Sequence, residues 1–385
     1  MIPYGRQDIS DEDVAAVAAV LRSDFLTQGP VILAFEKSVA DYCGAKHAVA
    51  MNSATSALHI ACMALDAGAG DLVWTTPNTF VATANCARYC GADVDFVDMD
   101  PLTFNMSVDL LSEKLEQAAR AGRLPKVVIP VHFSGQSADM RAIGALRKKY
   151  GFKVIEDASH AIGARYENVP VGRCTYSDIA VFSLHPVKII TSGEGGLALT
   201  NDDALFTKLS QLRTHGITRV ESEMQQDVDG PWYYEMNALG YNYRMTDIQA
   251  ALGLNQMKRL DEFVAKRHHL AKRYDELLPK LPLILPVQTK SSHSSLHLYV
   301  VQIDNRRTNL DRRTVFEKLR ELGIGVNVHY IPVHVQPYYR ALGFKPGDFP
   351  ASEAYYKNAI SIPLYSAMTE SQQDRVVEAL GEALA

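Results

Sequence analysis

The sequence predicts an α/β protein: a mainly parallel, seven-stranded sheet with helices on both faces, followed by a smaller C-terminal α/β domain. Three observations carry this reading. Short apolar segments alternate with amphipathic helical ones from His47 to Thr200, the pattern of successive strand-helix-strand units. The strand segments are apolar almost throughout rather than alternating, as strands covered on both faces are. At 385 residues the chain exceeds one ordinary core, and its pattern changes after about Leu260.

Taken in order, Ser10 with Glu12 and Asp13 opens a helix that runs to about Leu21, with Ser10 as N-cap. A loop, Asp24 to Pro30, ends in a Gly-Pro breaker. The next helix carries Phe35, Val39 and Tyr42 at helical spacing. Strands are expected at His47–Met51, Leu72–Thr75, Val94–Val97, Val127–Val131, Lys153–Glu156, Asp178–Ser183 and Leu197–Thr200. Helices fall between them at Ala54–Ala64, Thr79–Cys90, Val108–Ala121 and Ala138–Tyr150. Beyond a boundary near residue 260, a charged helix spans Arg259–Leu278, and Pro282 and Pro286 then break the chain. A strand at Leu296–Ile303, a helix at Thr314–Leu322, a strand at Val326–His329 and a terminal helix at Glu370–Leu384 complete the expectation. The two domains are thus residues 1–260 and 261–385.

Composition narrows the function. Hydrophobic content of 47% and charged content of 22% are those of a soluble globular chain. A formal charge of −5, with no basic run, argues against a nucleic-acid surface. The five cysteines are scattered without a CxxC pair, so neither a disulfide framework nor a thiolate metal site is indicated. Cys86 and Cys90, four apart on one helix, read as packing. No leader pattern opens the chain and no apolar run is long enough to span a bilayer, so a cytoplasmic location is expected.

In sheets of this class, ligands bind beyond the carboxyl ends of the strands, and four features stand there. Lys188 lies between the strand ending at Ser183 and the turn Gly193-Glu194-Gly195-Gly196, with no charged partner close by in sequence. An ammonium so placed is costly to bury, and burial pushes lysine toward the neutral, nucleophilic form that Schiff-base chemistry requires. The alternative is a loop lysine whose head reaches water. Asn52-Ser53-Ala54-Thr55-Ser56 carries a strand into a helix start, where free N–H groups and the helix dipole hold anions; the same residues also serve as ordinary caps. No GxGxxG or P-loop pattern is present. Asp157, after the Val154-Ile155 strand, offers a carboxylate for a protonated ring nitrogen, and equally for a helix cap or, with His160, a metal. Phe80 offers a plate for a flat cofactor, or a core residue. Together, an amine, an anion cup, a counter-charge and an aromatic plate match the requirements of pyridoxal 5′-phosphate.

On these residues the chain resembles the sugar aminotransferases of the DegT/DnrJ/EryC1/StrS family, which have the type I fold of vitamin B6 enzymes. The likeness rests on Ser183 and Lys188 before Thr191-Ser192-Gly193-Glu194-Gly195-Gly196, on Glu156-Asp157-Ala158, on Asn52 to Leu58, on Thr79 to Asn85, and on Gly240 to Asp247. It implies that Lys188 bonds the cofactor's aldehyde carbon and moves the proton. Asp157 would pair with the ring nitrogen and His160 would neighbour the ring hydroxyl. Phe80 would stack on the ring, while Ala54, Thr55 and Ser183 would hold the phosphate. Asn242 would reach the phosphate of a partner subunit, making a homodimer with shared active sites.

Within the family, the stretches Ile2 to Gln7, Ser23 to Pro30 and Val326 to His334 are similar to those of the members that aminate a UDP-linked 4-keto-6-deoxy-N-acetylhexosamine in pseudaminic acid synthesis. That likeness implies Tyr4, Leu26, Thr27, His329 and Tyr330 as substrate contacts and L-glutamate as amino donor. Competing expectations are amination of another nucleotide-linked 4-keto sugar, a dehydratase on the same cofactor, and a ligand sensor without turnover. The dehydratases of the family carry histidine in place of the lysine, and here Lys188 is present.

Overall fold

The computed structural model describes residues 1–385. The seven expected strands form one sheet: β1 (His47–Met51), β2 (Leu72–Thr75), β3 (Asp93–Phe96), β4 (Val127–Val128), β5 (Lys153–Asp157), β6 (Ile179–Ser183) and β7 (Gly196–Thr200). Their spatial order is β1-β7-β6-β5-β4-β2-β3. Only β7 runs against its neighbours, antiparallel to both β1 and β6; the remaining pairings are parallel. Every residue of β6 and β7 is buried, which is why their sequences lack alternation.

Apolar clusters cover both faces. On one face the helices Ala54–Ala64 and Ala82–Tyr89 pack Leu58, Ile60 and Ala84 against Val73, Ile155 and Val181. On the other, Phe35 and Val39 of the helix Pro30–Cys43 meet Phe182, Leu197 and Leu199. A further sheet joins β8 (Leu283–Ile284), β9 (Tyr299–Ile303) and β10 (Ala359–Ile362) in the order β8-β9-β10, all antiparallel. Its core includes Val315 and Leu319 of the helix Arg312–Glu321 and Val376 and Leu380 of the helix Glu370–Leu384. The helix Leu260–Leu277 enters both regions, with Phe263 and Val264 in one core and Leu270 and Tyr274 in the other.

Several boundaries differ from the sequence expectation. The helix after β2 begins at Ala82 rather than Thr79, because Thr76 to Thr79 form a buried turn before it. Strand β9 begins at Tyr299, since Leu296 has a left-handed φ of 51° that a strand cannot hold. Val326–His329 is not a strand: Asn327 makes one bridge, to Ser361, and the chain then leaves the sheet edge. The helices Asp203–Leu212 and Pro350–Asn358, and the small sheet of Arg165–Tyr166, Val169–Pro170 and Ser292–His293, were not expected.

Gly196 is the tightest backbone constraint at the functional edge of the sheet. It pairs with Met51 on one side and Ser183 on the other. A Cβ there would stand 2.4 Å from the Ala54 nitrogen and 2.5 Å from the Ser53 carbonyl carbon. Gly196→Ala should therefore push the start of the Ala54 helix off its seat. We expect a loss of about 1–3 kcal/mol in denaturant unfolding, as for an overpacked site, together with weaker cofactor binding. Unchanged values of both would show that the helix start can give way freely.

Candidate active site

The carboxyl ends of β1, β2, β4, β5 and β6 open into a cavity of about 970 Å³, at the upper end of the range for small-molecule sites. Each strand delivers its residues by continuing past its last pairing. After β1 come Asn52 to Ser56, after β5 Asp157 to His160, and after β6 Ser183 to Lys188.

At the start of the Ala54 helix, the N–H groups of Ala54 and Thr55 have no intrahelical acceptor. Ser53 caps the turn through its Oγ to Ser56 N (3.1 Å), and Ser56 Oγ donates to Asn52 Oδ1 (2.6 Å). The hydroxyls and amide are thus fixed around an open pair of N–H groups, with Ser183 beside them at the end of β6. This cup, free of a Cβ at Gly196, fits a phosphate.

Asp157 ends β5 and is 4% exposed. Its Oδ1 accepts from the Ser159 N–H at 3.1 Å and its Oδ2 from the Thr83 hydroxyl at 2.6 Å. The carboxylate still faces the cavity. Lys188 shares that cavity, and desolvation lowers its pKa to about 8, with the Asp157 charge opposing the shift. Such an amine is still mostly protonated at pH 7, yet it releases its proton far more readily than an ordinary lysine, as a nucleophile or base must.

His160 has both ring nitrogens engaged. Its Nδ1 accepts from the Ser134 N–H at 3.2 Å, and its Nε2 lies 3.0 Å from the Tyr330 hydroxyl. Desolvation, then the charge of Lys188, holds it well below the usual imidazole range. The neutral ring must then carry its proton on Nε2 and donate to Tyr330. That leaves the Tyr330 O–H free for another acceptor. Tyr330 completes one wall with Tyr4, Asn327 and His329. His329 Nδ1 is anchored to Ser361 Oγ at 2.7 Å and its carbonyl accepts from Tyr355. Burial, helped by Lys188, lowers the His329 pKa to about 3. Tyr4 arrives because Ile2 pairs with the Gly323–Gly325 turn and the Tyr4 carbonyl accepts from Leu364 N–H.

Of the residues expected from sequence, the cavity gathers Tyr4, Ala54, Thr55, Phe80, Asp157, His160, Ser183, Lys188, His329 and Tyr330. Phe80 is 57% exposed at its rim, which fits a plate better than a core residue. Leu26, Thr27 and Asn242 stand outside it. Leu26 and Thr27 are exposed and tied to the start of the helix Asp247–Met257, through Leu26 O to Asp247 N and a Thr27–Thr246 bridge. Asn242 is exposed and bridges to Thr214. The cavity also includes Thr83, Ser159, Gln249, His297 and Asn327, for which no separate role was expected. Thr83 carried a signal in the sequence, a hydroxyl four residues after Thr79 in the stretch Thr79 to Asn85.

Comparison with known proteins bears directly on this geometry. Residues 7–381 match the DegT/DnrJ/EryC1/StrS aminotransferase family. The chain belongs to that family. It is 40% identical over 382 residues to the spore coat polysaccharide biosynthesis protein SpsC of Bacillus subtilis, covering 98% of this chain and 96% of SpsC. Among solved structures, Helicobacter pylori PseC, an aminotransferase of pseudoaminic acid biosynthesis, is 30% identical with a TM-score of 0.90, covering 100% of this chain and 99% of its own. The putative sugar aminotransferase Spr1654 of Streptococcus pneumoniae in its PMP form gives 28% identity and a TM-score of 0.90, with 100% and 99% covered.

The protein is therefore a sugar aminotransferase of the type I fold that depends on pyridoxal 5′-phosphate. The residues present fit that cofactor: an open N–H cup for the phosphate, a buried carboxylate facing the cavity, and an amine of lowered pKa. No helix is long and apolar enough to cross a membrane.

The lowered Lys188 pKa has a measurable sign. Between pH 8 and about 10.5 the unfolded chain holds its lysine proton while the native chain has released it. Native stability from this group therefore rises with pH across that window and is least below it. Apoprotein carrying Lys188→Met should melt above the wild-type apoprotein at pH 7, and the gap should close toward about pH 10. A gap that does not change with pH would mean that burying this ammonium costs nothing.

Proposed function

We propose that the enzyme aminates C4 of a UDP-linked 4-keto-6-deoxy-N-acetylhexosamine with L-glutamate as donor, the transamination step of pseudaminic acid synthesis. The observation that carries this reading is the wall of Tyr4, Asn327, His329 and Tyr330. It adjoins the cofactor cup and leaves room for a sugar beside Lys188, in a fold shared with PseC along the whole chain. Pyridoxal phosphate, when bound, supplies an aldehyde carbon that accepts the amine and a ring that draws electrons from it. Lys188 takes the proton from the donor's α-carbon and later delivers one to the sugar's C4. Asp157 holds the proton on the ring nitrogen, and Phe80 stacks on the ring. The open N–H groups of Ala54 and Thr55, with Ser183, hold the phosphate. Tyr330, with its O–H released by the His160 donation, offers a donor to the sugar.

A homodimer with shared sites is part of the reading. The cavity of one chain is lined by a single lysine and no arginine, too little positive charge for a phosphate and a nucleotide diphosphate together. Asn242 and Arg244 lie on a segment bonded to the end of β1, through Tyr243 O to Asn52 N and an Arg244–Met51 bridge. The arm before it exposes Trp232, Met236 and Leu239, apolar surface of the kind that a partner covers. Leu26 and Thr27 are pinned beside Thr246, two residues after Arg244, and we assign them to the partner's substrate. Residues 261–385 serve in this reading as the second domain that closes the sugar side.

SpsC, more similar in sequence than PseC, supports a second reading: another nucleotide-linked 4-keto sugar used for a polysaccharide. A panel of UDP- and dTDP-4-keto sugars, assayed with glutamate and with the new amine's configuration read by NMR, decides between them. The first reading requires turnover of the UDP-N-acetyl-6-deoxy substrate with release of 2-oxoglutarate, and preference for a dTDP sugar would replace it.

The shared site has its own test. Lys188→Ala and Asn242→Ala chains are each expected to be impaired alone. Mixed in one dimer, one site would carry both lesions and the other neither, so activity should return in the heterodimer. No recovery, with heterodimers shown to form, would place Asn242 at its own chain's site or at none.

A further inference from the structure

Behind the cavity wall, Thr83 Oγ1 donates to Asp157 Oδ2 at 2.6 Å, and Thr79 Oγ1 lies 2.7 Å from Thr83 Oγ1. Both threonines are buried, at 1% and 3% exposed. The Thr83 hydroxyl has one proton, and an ionised carboxylate can only accept, so that proton goes to Asp157. The hydroxyl of Thr79 must then supply the proton of the second bond. The two form a directed relay from Thr79 to Thr83 to Asp157. Around Thr83, the helix Ala82–Tyr89 buries Ala82, Ala84, Cys86 and Ala87. Valine would fill this space with the same shape, so packing does not call for a hydroxyl here.

The relay acts on Asp157 through its placement. With the Ser159 N–H on Oδ1, the Thr83 hydroxyl fixes both oxygens and so the plane of the carboxylate. A carboxylate that pairs with a protonated ring nitrogen must attract that proton without taking it. Phe80 follows Thr79 directly, so the turn that carries the relay also carries the plate over the ring.

We infer that Thr83, backed by Thr79, is a positioning residue that orients the Asp157 carboxylate toward the cofactor's ring nitrogen, so that the proton stays on that nitrogen. This rests on the proposed pairing of Asp157 with that nitrogen. Loss of the Thr83 donor would leave a less fixed carboxylate, out of line with the ring nitrogen for part of the time, and the ring would hold its proton for less of the time.

The test uses holoenzyme loaded with pyridoxal phosphate labelled with 15N in the ring, whose resonance reports protonation, and cofactor affinity measured on the apoenzyme. Thr83→Val should move the resonance toward the neutral-ring position, weaken cofactor binding about tenfold, as for a lost charge-assisted bond, and slow the half-reaction with glutamate. Thr83→Ser should restore all three. Thr79→Val, which spares the bond to Asp157, should give a smaller change in the same direction. Native resonance and affinity in Thr83→Val would overturn the inference, even if its melting temperature fell, since packing alone moves only the latter. Should Thr83→Val fail to fold, Thr79→Val carries the same judgement: a native resonance and affinity there overturn the relay. Asp157→Asn separates the underlying reading. If that change leaves the resonance native, the pairing of Asp157 with the ring is itself wrong; if it shifts the resonance while the threonine variants do not, only the relay falls.

Discussion

The rest of the site depends on a carboxylate kept out of water. Asp157 sits at the end of a central strand, 4% exposed. An ionised carboxylate there is costly unless it is bonded and faces positive charge. The protein meets the first condition with the Ser159 N–H and the Thr83 hydroxyl. For the second, Lys188 faces the same cavity, where the charge of Asp157 opposes the lowering of the lysine pKa that desolvation causes. Neither group reaches full solvation, and neither is locked into a close ion pair with the other. That leaves the lysine free to lose its proton and the carboxylate free to meet a cationic ring.

The sheet makes this arrangement affordable in geometric terms. Strands β1 and β6 are held in register by β7, whose reversed direction lets Gly196 sit at the same edge as Met51 and Ser183, and β6 in turn holds β5. Because Gly196 has no side chain, the Ala54 helix start seats directly on the sheet. The phosphate cup, the carboxylate and the lysine therefore lie on three nearly adjacent strands. Small movements of the backbone would be felt at all three, which explains why the cup is built from N–H groups and short hydroxyls rather than long, mobile side chains.

Much of this was legible in the sequence, for identifiable reasons. Most strands of the main sheet announce themselves because burial on both faces makes them apolar, while the edge strand β3 alternates, with Val94 and Phe96 buried between the more exposed Asp93 and Asp95; the Ala54–Ala64 helix and β2 have the expected ends. Lys188, Asp157 and the Asn52–Ser56 turn could be located because strand ends are where such a sheet binds ligands. Contacts that join distant parts of the chain left no local trace. The Tyr330–His160 bond spans 170 residues and the Thr83–Asp157 bond 74. Val326–His329 looks like a strand because its composition is β-rich, yet tertiary bonds from Ser361 and Tyr355 turn it into the cavity wall. The Asp203–Leu212 helix, although capped by Asp202, escaped notice because only Leu209 and Leu212 are buried along it, too few for a clear period. Asn242, Leu26 and Thr27 show the limit of a single chain: their sequence context marks them, but their own chain leaves them on the surface.

The histidines around the cavity set the charge at which the site works. His160, His297 and His329 are all desolvated, and the lysine's charge disfavours protonation of each. At neutral pH they are therefore neutral, and none of the three stands in the cavity wall as a cation. For His160 the consequence is definite, since an acceptor role at Nδ1 forces the proton to Nε2 and thence toward Tyr330. A protonated His160 would have to donate at Nδ1 too, against the Ser134 N–H that points at it. The ring is held in one tautomer by backbone, and its neutrality keeps a second positive charge away from Lys188. Proton traffic on this side of the cavity is thereby left to Lys188, because His160, His297 and His329 do not take up the proton that the lysine must carry.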